Sequence, residues 1–97
     1  MFKVLIDELV FKKDFKKIDK TDQRRIINTI RKKLTTKPEE FGKPLIGELK
    51  GCWKLRIGKY RVIYEIEQEE ILVYVIMVGY RRDEEAYKKA IKRLGLK

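Results

Sequence analysis

Apolar positions along the chain change period twice, and each change marks a different kind of element. Residues 2–6 form a short, mostly apolar run of the kind that makes a strand. Asp7 or Glu8 then opens a segment in which Phe11, Phe15 and Ile18 recur at helical spacing, which predicts a first amphipathic helix. The polar stretch 19–21 breaks it, and Thr21 or Asp22 is placed to cap a second helix. There Ile26, Ile27, Ile30 and Leu34 make one apolar stripe among Arg24, Arg25, Arg31, Lys32 and Lys33. Residues 37–51 hold both prolines, Pro38 and Pro44, together with Gly42, Gly47 and Gly51, and read as a long ordered loop with at most short structured pieces.

From Trp53 the period becomes two. Trp53, Leu55 and Ile57 alternate with Lys54 and Arg56; after Gly58 and Lys59, the apolar set Tyr60, Val62, Tyr64 and Ile66 alternates with Arg61, Ile63, Glu65 and Glu67. This is a β-hairpin, and glycine first in a two-residue loop suits a type II′ turn. Residues 68–70 turn the chain into 71–78, which is apolar throughout and predicts a central strand covered on both faces, closed by Gly79. Asp83 is placed to cap a last helix with Tyr87, Ala90, Ile91 and Leu94 on one side and Lys88, Lys89, Lys92 and Arg93 around the other. The expected fold is α+β: a single compact domain over residues 1–97, β-α-α-β-β-β-α, with a mainly antiparallel twisted sheet and two N-terminal helices packed on one face.

A hairpin with this loop pairs Ile57 with Tyr60, Arg56 with Arg61 and Lys54 with Ile63, and opposed residues project from the same face. Arg56 therefore faces Arg61, with Lys54 two residues away on the same side, while Trp53, Leu55 and Ile57 point into the core. Like charges opposed across strands are disfavoured, so the cluster makes physical sense as a site for anionic oxygens, which arginine forks bind in two places at once. A solvated sheet face with scattered cations, partly paired by Glu65 or Glu67, is the competing reading. Arg81 and Arg82, beyond the third hairpin-connected strand, are within reach of the patch if that strand pairs with the second.

Charge strengthens the anionic reading: 25 lysines and arginines against 15 acidic residues give a formal net charge of +10, with no histidine. A field of that sign attracts nucleic acid and acidic proteins, although a lysine-rich solvated surface produces the same total. Glu65, Glu67, Glu69 and Glu70 crowd one turn and read as solvated rather than as a metal site. Cys52 is the single cysteine, so it forms no internal disulfide; without a histidine beside it as base, it reads as a small packing residue. Lys3, Asp7 and Glu8 interrupt the N-terminus before signal-peptide length, and no run of 18 apolar residues exists, so a cytoplasmic location without membrane span is expected.

Residues 49–87, reading LKGCWKLRIGKYRVIYEI and then VYVIMVGYRRDEEAY, resemble the RelE branch of the RelE/ParE toxins. The shared pieces are a basic pair before the hairpin turn, the G-x-Y-R-V-I-Y strand, and a V-G-x-R strand end followed by a helix-borne tyrosine. The resemblance implies a toxin of a type II toxin-antitoxin system that cuts messenger RNA in the ribosomal A site. Cleavage in those relatives proceeds without metal or small-molecule cofactor, by attack of a ribose 2′-hydroxyl on the neighbouring phosphate. On the same resemblance Lys54, Arg56, Arg61, Arg81 and Tyr87 fall on catalytic or substrate-contacting positions, with Tyr80 and Arg82 as further RNA-binding candidates. The implied partners are messenger RNA, the ribosome and a RelB-like acidic antitoxin that the +10 chain would attract. ParE-type relatives share the fold, inhibit DNA gyrase and lack most of the cationic cluster, so gyrase inhibition is the alternative.

The reaction itself sets requirements. A proton must leave the 2′-hydroxyl, charge on the phosphorane must be stabilised, and a proton must return to the 5′-oxygen. Arginines meet the second. In the absence of histidine, Lys54 is the expected base, its pKa lowered from about 10.4 by crowding from Arg56 and Arg61. Arg61 and Arg81 are assigned to the scissile phosphate, Arg81 near the leaving oxygen by the family pattern. Tyr87 stacks on a base, orients the phosphate, or packs as the start of the last helix's apolar stripe. Many relatives carry histidine at the position of Tyr80, so an acid or base role does not transfer there.

Overall fold

The computed structural model describes residues 1–82 and 85–95. Strand β1 (Lys3–Ile6) leads into a helical stretch made of a π-turn (Val10–Asp14) and a 3₁₀ turn (Phe15–Lys17). Helix α1 (Lys20–Lys33), a one-turn α2 (Pro38–Phe41), the two-residue β2 (Lys43–Pro44) and a 3₁₀ turn (Gly47–Leu49) follow. Strands β3 (Cys52–Ile57), β4 (Tyr60–Glu67) and β5 (Leu72–Tyr80) form the meander, and α3 (Glu85–Leu94) ends the described chain. The sheet order is β1-β5-β4-β3-β2, antiparallel except where β1 lies parallel to β5. The class is α+β, as expected, with three short elements inside the 37–51 loop and one parallel pairing.

The hairpin register is the expected one: Ile57 opposes Tyr60, Arg56 opposes Arg61 and Lys54 opposes Ile63. Gly58 takes φ +57°, and the only non-glycine residue with positive φ among those described is Ile71, so Lys59 keeps the negative φ of a type II′ turn. Strand β5 runs past Gly79 to Tyr80 rather than closing there, because Gly79 still pairs with Arg61 and Tyr80 with Tyr60. Between Ile63 and Tyr64 the β4–β5 register shifts, leaving Ile76 without an opposed residue. Such a bulge reverses the alternation along β5. Val73, Val75 and Val78 consequently face one side of the sheet, and Ile76 and Met77 the other.

The N-terminal helical elements cover one side of the sheet, as expected. Val10, Phe15, Ile18, Ile26, Ile30 and Leu34 pack there against Leu55, Ile57, Tyr60, Val62 and Tyr64. The first helical stretch departs from the expected α-helix. The Phe15 amide donates to the Val10 carbonyl, a five-residue closure that puts Val10 rather than Phe11 on the buried side with Phe15. Phe11 is half exposed, its ring edge-on to Phe15 at 5.4 Å. The cap of α1 is Asp19, whose carboxylate accepts from the Asp22 amide at 2.8 Å; Thr21 and Asp22, expected as caps, already lie inside the helix. Asp83, the expected cap of α3, lies outside the described residues.

On the opposite side, α3 packs its small residues Ala86 and Ala90 against Leu49, Cys52, Ile63, Ile76 and Met77. Cys52 is buried there. Arg93, expected on the solvent side of this helix, is buried instead and paired with Asp14.

Candidate active site

Lys54, Arg61 and Tyr87 come together on the α3 side of the sheet. Strand alternation sends Lys54 and Arg61 to that face because Leu55, Val62 and Tyr64 are taken by the other core. Tyr87 lies one position along α3 from the buried Ala86 and reaches the same face half-buried; its ring centre is 4.7 Å from the Arg61 guanidinium carbon. That is a cation–π stack, which holds the arginine fork flat while leaving its donors available. Gly79, directly opposite Arg61, leaves room: a Cβ there would meet the Ala86 Cβ at 3.5 Å and the Met77 methyl at 3.3 Å.

Beside this pair a cleft of about 520 Å³ opens between the 43–49 segment, β3 and α3. Pro44, Leu45, Leu49 and Ile91 give it apolar walls, Lys54 and Tyr87 also line it, and Glu48 is the carboxylate among its lining residues. The walls depend on Gly42. The Tyr64 hydroxyl, fully buried, donates to the Pro38 carbonyl at 2.7 Å, and a Cβ on Gly42 would sit 1.8 Å from that phenolic oxygen. Burial pushes the Tyr64 phenol well above its usual range, so it remains a donor. The loop that carries Pro44 to Leu49 is thereby held against β3 from the opposite core.

The remaining candidates are dispersed. Arg56 opposes Arg61 in register but stands exposed near the end of β3, where the residue borders a second cleft of about 660 Å³ with Arg24, Arg25, Lys32 and Lys33 of the α1 region. No Asp or Glu is among the described residues lining that cleft. Arg81 crosses the hairpin turn: its amide donates to the Lys59 carbonyl at 2.9 Å and its guanidinium to the Gly58 carbonyl at 3.3 Å. Arg82 is exposed in the turn after β5. Tyr80 is not brought to the patch. It opposes Tyr60 on the other face, with ring centres 5.2 Å apart, and its hydroxyl donates to the Lys17 carbonyl at 3.0 Å.

The hairpin end is braced from below by Tyr60, whose hydroxyl donates to Asp22 at 2.5 Å. Burial first, and then this bond, push the Tyr60 phenol well above its usual range. Glu48, the apolar cleft walls and the Asp14–Arg93 pair are not legible in the sequence. None of these has a local signal, since each joins elements far apart in the chain. The α1 cations that meet Arg56 were visible as the polar side of a helix; only the fold shows what they border.

Among the described residues no helix is long and apolar enough to cross a membrane. Residues 9–85 match the family model of the ParE toxin of type II toxin-antitoxin systems, parDE. The chain is 35% identical over 89 residues to the mRNA interferase toxin RelE of Escherichia coli K12, covering 84% of this chain and 94% of that protein. It is 40% identical over 50 residues to Toxin RelG of Mycobacterium tuberculosis, covering 52% of this chain and 58% of that one. In structure it is similar to the toxin-antitoxin complex RelBE2 of M. tuberculosis, with TM-score 0.76, 28% identity and coverage of 82% of this chain and 98% of that one. A double-arginine mutant of E. coli RelE in the free state superposes with TM-score 0.72 at 27% identity, over 96% of this chain and 97% of that one. Fold and sequence kinship thus agree: the chain belongs to the RelE/ParE superfamily of type II toxin-antitoxin toxins, as a RelE-type toxin.

Proposed function

We propose that this toxin is an endoribonuclease that cuts messenger RNA at the ribosomal A site and so stops translation. The observation that carries the reading is the Arg61 guanidinium stacked on Tyr87, which with Lys54 lines the neighbouring cleft. A nucleotide seated in that cleft has apolar walls and an aromatic ring for its base and a preset arginine fork for its phosphate. In the reaction Lys54 takes the 2′-hydroxyl proton, and the 2′-oxygen bonds to phosphorus. Arg61 holds the charge that gathers on the phosphorane oxygens. The bond to the 5′-oxygen breaks, that oxygen takes a proton from water, and a 2′,3′-cyclic phosphate remains. Arg81, held over the hairpin turn through Gly58, is assigned to the leaving oxygen by the family pattern. Arg56 and Arg82 contribute further phosphate contacts, Arg56 from the edge of β3. Tyr80, on the opposite face, is left to bracing the strand end.

The relative from E. coli is named an mRNA interferase, and related toxins have been solved bound to their antitoxins, including the intact E. coli RelBE complex. A RelB-like acidic antitoxin fits the net charge of +10 and is the partner we assign, in the cytoplasm where translation occurs. The test is primer extension on one messenger, translated and ribosome-free, with the parent and Lys54→Met. Ribosome-dependent cuts by the parent that are lost in the variant are expected. Intact messenger together with blocked DNA supercoiling would replace this reading with the gyrase-directed one that the ParE description of the family model keeps open.

A further inference from the structure

Arg93 and Asp14 form a buried fork that the proposed chemistry does not use. The two guanidinium nitrogens donate to the two carboxylate oxygens at 2.8 and 2.7 Å, and the side chains are 9% and 6% exposed. The same groups reach the backbone of β5: Arg93 donates to the Ile76 carbonyl at 3.1 Å, and the Val78 amide donates to Asp14 at 2.9 Å. These are strand groups beyond the end of β1, which pairs with β5 only as far as Val75. One ion pair therefore joins the π-turn, β5 and α3.

Helix α3 needs such a fixture. Its fully buried side chains besides Arg93 are Ala86 and Ala90, while Tyr87, Ile91 and Leu94 pack only partly buried around them, and small side chains at the centre of a contact oppose sliding or rotation weakly. A slip by a single residue turns a helix by about 100° and moves it about 1.5 Å. Either motion would carry Tyr87 off Arg61. A buried ion pair is a poor source of net stability, because desolvation offsets its attraction, but its geometry selects one arrangement over others.

We propose that the Asp14–Arg93 fork is a positioning pair for the active site, setting the register of α3 so that Tyr87 lies over Arg61. Its kinetic consequence rests on the ribonuclease reading above; its structural consequence does not. Two variants test it in the full-length protein. Arg93→Lys keeps the charge and loses the fork, and the double variant Asp14→Asn, Arg93→Gln removes both charges together, so that neither is left buried alone. By NMR, nuclear Overhauser contacts between the Tyr87 ring and the Arg61 side chain are expected in the parent and absent in both variants, with the core signals of Ile26, Ile30 and Val75 unchanged. In cleavage, kcat is expected to fall by about 10- to 100-fold, the cost a misplacement of about 1 Å can carry, while KM moves little. In a Tyr87→Ala background the same substitutions should cost nothing further in kcat. Folded variants that retain the Tyr87–Arg61 contact, or an equal loss of kcat in both backgrounds, would overturn the proposal. A parent that does not cleave RNA would sink the ribonuclease reading and leave the NMR comparison to decide this one.

Discussion

Arg61→Ala separates catalysis from stability in this protein more sharply than any other single change. The guanidinium lies 4.7 Å from the Tyr87 ring centre and opposes Arg56 across the hairpin. Truncation removes the stack, which contributes about 0.5–1 kcal/mol at a partly exposed site. It also relieves the cross-strand repulsion with Arg56, a term of about 0.2–1 kcal/mol of opposite sign. The two nearly cancel. Since 1 kcal/mol moves the midpoint of a domain this size by about 4–8 °C, Tm should stay within about 4 °C of the parent. Cleavage has no such compensation: losing one preset donor to a developing oxyanion costs about 10²- to 10³-fold, roughly 2.7–4 kcal/mol. The assay is single-turnover cleavage and thermal unfolding on the same preparations, with Arg61→Lys as a variant that keeps the charge and loses the fork. Arg61→Lys should fall between the two. The reasoning fails if Arg61→Ala cleaves within tenfold of the parent, or if its activity loss is matched by a drop in Tm well beyond 8 °C, which would make Arg61 a structural residue.

Gly42→Ala should destabilise the chain by at least the roughly 1–3 kcal/mol typical of overpacking, because its Cβ would lie 1.8 Å from the Tyr64 hydroxyl; chemical denaturation would show a lowered midpoint, and an unchanged one would contradict the packing. Asp19→Ala removes the cap bond to the Asp22 amide and should cost about 1 kcal/mol by the same measurement. Alkaline pH tests the Tyr74 phenol, which its bond to Asp7, and then burial, push up to about 12. An unfolded tyrosine titrates near about 10, so the folded state holds this proton more tightly. The stabilisation is complete below about pH 10 and disappears as pH rises from there through about 12. Parent stability should therefore fall more steeply than that of Tyr74→Phe across this window, and parallel curves would count against the bond.

The meander and its faces are specified by local patterns of residues. Alternation from Trp53 to Ile66 with glycine at position 58 specifies both the turn and the register, since a slip of one residue would exchange core and solvent faces. It was therefore legible that Arg56 opposes Arg61 with Lys54 on the same side. What had no local signal was settled by tertiary structure. Because β5 is covered on both faces, its apolar run reads alike in either phase, and the bulge at Ile76 that sends Tyr80 away from the patch is invisible in it. The π-turn that buries Val10 in place of Phe11 answers to the sheet beneath it rather than to any spacing of its own. Arg93 had every sequence mark of a solvent-facing cation, and only the carboxylate 79 residues earlier in the chain makes its burial tolerable. Patterns within one element are written in the order of residues; the partner of a charge, the side from which a strand is covered and the ring over Arg61 depend on segments that folding alone brings together.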